Sequence, residues 1–143
     1  MAKTVGMFSY VIGVVLVIGG LVTWFMVSSM LSDQRITTPE GACLEGRTVS
    51  GPLTAYCTAL KIGDNALNAT GGKTYAELDR EDPLRQVAAS ASFLQASLFT
   101  SVVSFGVAAM GVIIGVLFIL LGGAVNNFHS RLEGMEARGA PSV

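Results

Sequence analysis

The sequence predicts a mainly α-helical chain: a two-helix transmembrane hairpin with a small external, disulfide-linked helical domain and a long second helix that extends out of the membrane. Three observations predict it. Charged residues make up 13% of the 143 residues and hydrophobic ones 51%, whereas soluble domains carry about 25% charged residues. The missing charge is concentrated in two runs: no Asp, Glu, Lys, Arg or His occurs from Thr4 to Ser32, and from Gln86 to Ser130 the only one is His129. A helix crosses a hydrocarbon core of roughly 30 Å in about 20 residues, so each run suffices for one span and neither for two.

The first element, residues 1–32, contains transmembrane helix 1 at about Val5 to Leu31. Lys3 followed by apolar residues also suits a secretory signal. Signal cores, however, run about 7 to 15 residues to a small-x-small site, and this run continues to SSMLSDQ. Cleavage is therefore not expected, and Cys43 lies too far beyond the run to be a lipoprotein cysteine.

Residues 33–82 form the external segment. The stretch ITTPEGACLEGRTVSG mixes β-branched residues with turn residues and fits either a short hairpin or a plain loop. A short helix is predicted at about 52–69, with Pro52 near its first position and Gly71-Gly72 ending it. Gly63 and Asp64 could divide it in two. Leu53, Tyr56, Leu60 and Leu67 are its expected apolar contacts.

Residues 83–128 form one long helix that includes transmembrane helix 2 at about 98–125. Asp82 before Pro83 is an N-cap followed by proline at the first helical position, and Glu81 adds favourable negative charge. Leu84, Val87, Ala88, Ala91, Leu94 and Leu98 recur at helical spacing, an apolar stripe for the short helix to cover. Residues 129–143 remain as a tail.

Charge sets orientation weakly. Of nine Lys and Arg residues, Lys3 precedes the first run, six fall between Asp33 and Arg85, and Arg131 and Arg138 lie in the tail. Cys43 and Cys57 decide it, because a disulfide persists only in an oxidising compartment. Both termini are placed in the cytoplasm and segment 33–82 outside a plasma membrane. Thirteen residues separate the cysteines, which excludes C-x-x-C redox chemistry. A structural disulfide, with two buried free thiols as the alternative, is the reading, and it would stabilise by roughly 3 kcal/mol in the chain-entropy model.

The inventory is poor in chemistry. Gly72-Lys73-Thr74 resembles the end of a phosphate loop, but the position five residues before Gly72 is Leu67 rather than glycine, and no βα unit is available. Nucleotides and nucleic acids are not expected partners. His129 is the only histidine, too few for the metal sites of oxygenases or zinc hydrolases. No Ser-His-Asp or Cys-His arrangement is found, so no catalytic, cofactor-binding or metal residue is assigned and no enzyme is expected.

The sharpest pattern is one of packing. Ser97, Ser101, Ser104, Ala108, Gly111 and Gly115 follow heptad-like steps, continued by Gly122, and Gly6, Ser9, Gly13, Gly20 and Thr23 do the same in the first helix around Leu16. Small residues let helix backbones approach in lipid, so these two faces are expected to meet. The outer faces then carry Val, Ile, Leu, Phe and Met for lipid or a larger partner. No Asp, Glu, Lys, Arg or His lies within the spans to serve a proton or ion path.

Three stretches, SGPLTAYC at 50–57, TGGKTYAELDREDP at 70–83 and ASFLQASLFTSVVSFGVAAMG at 91–111, resemble a family of small two-pass membrane proteins from actinobacteria. The resemblance covers about Val11 to Gly123. Members often carry the name aromatic ring-opening dioxygenase, which implies an iron site with histidines that this inventory rejects. The chain is also similar to accessory subunits of the actinobacterial cytochrome bcc–aa3 respiratory supercomplex. That similarity implies a non-catalytic role in assembly, with other integral membrane subunits as partners and electron and proton transfer left to them. The alternative expectation is a self-associating envelope protein that binds or senses an external ligand.

Overall fold

The computed structural model describes residues 2–139 and consists of three helices: α1 (Ala2–Asp33), α2 (Pro52–Ala69) and α3 (Leu84–Gly139). No strand occurs among the described residues, and the fold is mainly helical as the composition predicts. The chain divides into two compact units. One joins α1 up to Val22 with α3 from Val107 onward, and the other is Thr23–Gly106.

In the first unit α1 and α3 are antiparallel, in a register set by glycine. A methyl built on Gly13 would lie 2.6 Å from the Gly115 carbonyl oxygen, and one on Gly115 would lie 2.7 Å from that of Gly13. One heptad away on either side, a methyl on Gly20 would meet the Ala108 oxygen at 2.7 Å and one on Gly122 the Gly6 oxygen at 2.6 Å. Gly6, Gly13 and Gly20 are buried, as are Ala108, Gly115 and Gly122. At these glycines backbone approaches backbone, with Ala108 in the same row and Val17, Val112 and Ile119 packed beside it.

The second unit has a small core of Leu31, Val49, Ala55, Ala59, Leu98 and Phe105. Phe105, 1% exposed, meets the Trp24 ring edge-on with centroids 4.8 Å apart, a geometry favoured by the aromatic quadrupole. The loop after α1 is neither a regular hairpin nor free coil. It makes one antiparallel bridge, Thr37 with Thr48, reinforced by the Val49 amide donating to the Ile36 carbonyl at 2.9 Å. This folds the loop back and drives Val49 fully into the core.

Local chemistry explains where α2 begins and ends. Pro52 occupies its start, and the Ser50 and Gly51 amides both donate to Thr54 Oγ1 at 3.2 Å. At the other end the Gly72 amide donates to the Leu67 carbonyl at 2.7 Å, with Gly71 and Gly72 at φ of 66° and 86°. This is a Schellman-type closure, which needs the left-handed conformation that glycine adopts freely. α2 is continuous through Gly63 and Asp64. A methyl on Gly63 would lie 2.5 Å from Gln95 Nε2, so this glycine serves contact with α3 and does not break the helix.

At the start of α3 the Leu84 amide donates to Asp82 Oδ1 at 2.9 Å, the cap predicted from the sequence. Two expectations require correction. First, α3 continues to Gly139 instead of stopping near Phe128. Polarity rises after Val125, but Leu, Glu, Met, Ala and Arg are good helix formers and the next proline is Pro141, so the helix outlasts the apolar run.

Second, α2 does not cover the α3 stripe with its large residues. Leu53, Tyr56, Leu60 and Leu67 are exposed, Leu53 by 71%, and the buried face of α2 is Ala55, Cys57, Thr58 and Ala59. Of the α3 stripe only Ala88 and Leu98 are buried, and Ala91 is half-buried. Small residues bring α2 close to its neighbours; of its bulkier ones Ile62 is half-buried against the core, and Tyr56 keeps one edge on the Phe99 ring of α3, centroids 6.0 Å apart.

Candidate functional site

Cys43 and Cys57 are joined in a disulfide with Cα atoms 5.5 Å apart. Cys43 lies on the exposed turn of the loop, while Cys57 is buried on α2. The bond therefore fixes loop to helix beside two buried threonines. Thr38 Oγ1 donates to the Arg47 carbonyl at 3.0 Å and Thr58 Oγ1 to the Thr54 carbonyl at 2.8 Å. Ser28 Oγ on α1 donates to the Ser50 carbonyl at 2.7 Å, attaching the loop's far end. No buried side-chain nitrogen or oxygen lacks a partner among the described residues.

The small-residue face of α3 divides functionally into two. Ala108 and Gly115 meet Gly20 and Gly13 as close backbone contacts. Gly111 is half-buried, and a methyl there would find only the Leu16 carbonyl oxygen, at 3.9 Å. Leu16 and Ser9 are half-buried, and Thr23 is exposed.

Ser97, Ser101 and Ser104 depart from the predicted continuous seam. Ser97 is exposed, Ser101 and Ser104 are half-buried, and all three line an open groove with Val27, Met30, Leu31 and Gln34. Leu98 and Phe105 take the inward positions in their place because the core around Val49 needs volume there. Ser101 and Ser104 donate to the carbonyls of Ser97 and Thr100 one turn back, at 3.1 and 2.9 Å. They need no partner helix.

The segment that resembled a nucleotide loop forms one wall of a cleft. Lys73, Thr74 and Tyr75 face Leu60, Gly63, Asp64, Ala66 and Leu67 of α2 and Ala88, Ser92 and Gln95 of α3 around about 230 Å³. Side chains hold the wall in place. Arg85 stacks over the Tyr75 ring at 4.2 Å and donates to the Leu78 carbonyl. The Thr74 amide and hydroxyl both donate to Glu77 Oε2 at 2.8 Å.

Those bonds, first from the Thr74 backbone and then from its hydroxyl, hold the Glu77 carboxyl below its ordinary range, with Lys73 adding to them. A depressed folded pKa means that the clamp is complete above the ordinary carboxylate range and lost as pH falls through the lowered value. Protection of the Thr74 amide, its exchange rate set against the intrinsic rate at each pH, should therefore fall at acid pH, and Glu77→Gln should remove most of that pH dependence. A flat profile in the parent protein would contradict the clamp.

α1 and α3 are both long and apolar enough to cross a membrane, over Thr4–Asp33 and Leu84–Arg131. In their most apolar windows only 11% and 17% of residues are buried, so the chain itself does not cover this surface. That is consistent with a membrane protein. The sequence missed the exposed α2 face of Leu53, Tyr56, Leu60 and Leu67, whose apolar spacing looked like a core. No group of three or more His, Cys, Asp or Glu able to hold a metal occurs among the described residues. The chain matches no protein-family model, no curated protein and no solved structure.

Proposed function

We infer that the chain is a non-catalytic accessory subunit that stabilises or organises a larger membrane complex. The complex most in keeping with its sequence resemblance is a cytochrome bcc–aa3 respiratory supercomplex, with both termini cytoplasmic and segment 33–82 external. The observation that carries the reading is how the glycines are used. Gly6, Gly13, Gly20, Gly115 and Gly122 are consumed in the α1–α3 seam, with Val17, Val112 and Ile119 packed beside them, and many of the bulky side chains of both helices lie outside it. Val11, Val15, Ile18, Met110, Ile113 and Leu117 are all exposed.

Such a hairpin has its own interface closed and a large apolar perimeter open, which suits a peripheral membrane subunit. The exposed α2 face of Leu53, Tyr56, Leu60 and Leu67 offers a second, water-side apolar contact. Redox and proton chemistry belong to partner subunits in this reading.

Extraction in a mild detergent, native electrophoresis and mass spectrometry of the band test it. Stoichiometric migration with haem- and copper-containing subunits is expected. Migration only as a monomer or homo-oligomer would reject the subunit reading. It would favour the self-associating envelope protein, whose ligand site would be the 230 Å³ cleft at Lys73–Tyr75.

A further inference from the structure

We propose that the notch formed by Tyr10, Gly122, Gly123, Asn126, Asn127 and Ser130 binds the phosphodiester headgroup of a single phospholipid. This rests on the membrane part of the reading above and not on the respiratory part. The notch is an open surface depression of about 490 Å³. Its floor exists because of glycine: a methyl on Gly122 would meet the Tyr10 backbone nitrogen at 2.8 Å, whereas the Gly123 position opens onto free space. Tyr10 is thus held against α3, with a gap beside it that no side chain fills.

Depth argues for a headgroup. The 21 residues from Phe105 to Val125 carry no polar side chain, a rise of about 31 Å, equal to one hydrocarbon core. Asn126 is the first polar side chain beyond that run. Asn127 follows, and Tyr10 supplies a phenol where tyrosine is enriched in membrane proteins. The two amides and the phenol present N–H and O–H donors toward an acceptor-rich ligand.

Charge agrees with geometry. No residue lining the notch is a carboxylate, and Arg131, exposed, lies one turn beyond Asn127 on the same helix face. Ser130 Oγ donates inward to the Asn126 and Asn127 carbonyls at 2.9 and 3.1 Å, which leaves its lone pairs outward. The ligand's acceptor oxygens and negative charge are therefore read by amide, phenol and guanidinium, and its acyl chains continue along the apolar surface below.

The test uses the full chain, first shown to remain with membranes after carbonate washing; release at that step would refute the membrane reading itself. The protein is then titrated in detergent with phosphatidylglycerol and read by native mass spectrometry, beside diacylglycerol with the same acyl chains and inorganic phosphate. One saturable phosphatidylglycerol, held about tenfold more tightly than diacylglycerol, is expected. Asn126→Asp, nearly isosteric but anionic, should abolish that preference, and Val103→Ala should not change it.

Arg131→Gln, outside the apolar run, provides a second variant should Asn126→Asp lose helicity, and it should weaken binding several-fold. Equal retention of the two lipids would overturn the proposal, as would unchanged binding by both notch variants. Competition by inorganic phosphate at equal concentration would instead mark a free-anion site, and occupation of the notch by a copurifying protein helix would also overturn it.

Discussion

Gly115→Ala is expected to open the α1–α3 hairpin, while Gly111→Ala, one turn away on the same helix, leaves it intact. The added methyl at 115 would lie 2.7 Å from the Gly13 carbonyl oxygen and 2.9 Å from the Val17 amide nitrogen. These are backbone atoms, which cannot rotate aside, so the helices must separate along their length. At 111 the nearest atom is 3.9 Å away, an ordinary contact. Overpacking costs typically about 1–3 kcal/mol, and a leucine at 115 would exceed that.

Gly13→Ala should act like Gly115→Ala, since its methyl would meet the Gly115 oxygen at 2.6 Å and the Ile119 nitrogen at 2.8 Å. The two substitutions together should cost less than the sum of each, because once the helices part the second methyl has space. Denaturation in detergent micelles measures all four proteins. Equal midpoints for the 111 and 115 variants would place this face toward lipid and discard the seam.

Removing the disulfide is expected to have the second large effect. Cys43→Ser with Cys57→Ser should cost about 2–5 kcal/mol in the Thr23–Gly106 unit, the usual range for a small disulfide-linked domain. Two effects add there. The loop regains the freedom that a bond 14 residues apart had removed, and a hydroxyl replaces sulfur at the buried Cys57 position, where burial without a partner is unfavourable.

Faster proteolysis between Ile36 and Ser50 and an earlier thermal transition should report the loss. Alkylation of the unreduced native protein should label no thiol, and reduction should release two. Two reactive thiols before reduction would sink the bond, and an unchanged transition in the double variant would show that it contributes nothing to stability.

Much of the fold was legible because its determinants are local. Proline at position 52, glycines at 71 and 72 and Asp82 before Pro83 fix helix ends through steric limits and one or two hydrogen bonds. These interactions require no knowledge of the rest of the chain. The two ion-free runs likewise state their own need for a solvent other than water. The end of α3 was misjudged because loss of apolar character was read as loss of helix, although backbone hydrogen bonding continues wherever no residue opposes it.

The sites were less legible. Gly13, Gly20, Ala108 and Gly115 could be found by their heptad spacing, but that spacing continues without interruption through Ser104, Ser101 and Ser97, which do not join the seam. Ala55 and Ala59 could not be distinguished from Leu60 and Leu67 by hydropathy, which would bury the larger pair.

By itself the sequence determined the helix count, the helix starts, the caps, the length of the apolar runs and the residues available for close packing. Only the tertiary structure decided which faces those residues turn toward one another. The physical reason is that periodicity gives a helix an apolar or a small side without giving its neighbour. Around Val49 the competition for core volume brings Leu98 and Phe105 inward past the serines. Between Gly6 and Gly122 nothing competes, and the backbones close to contact.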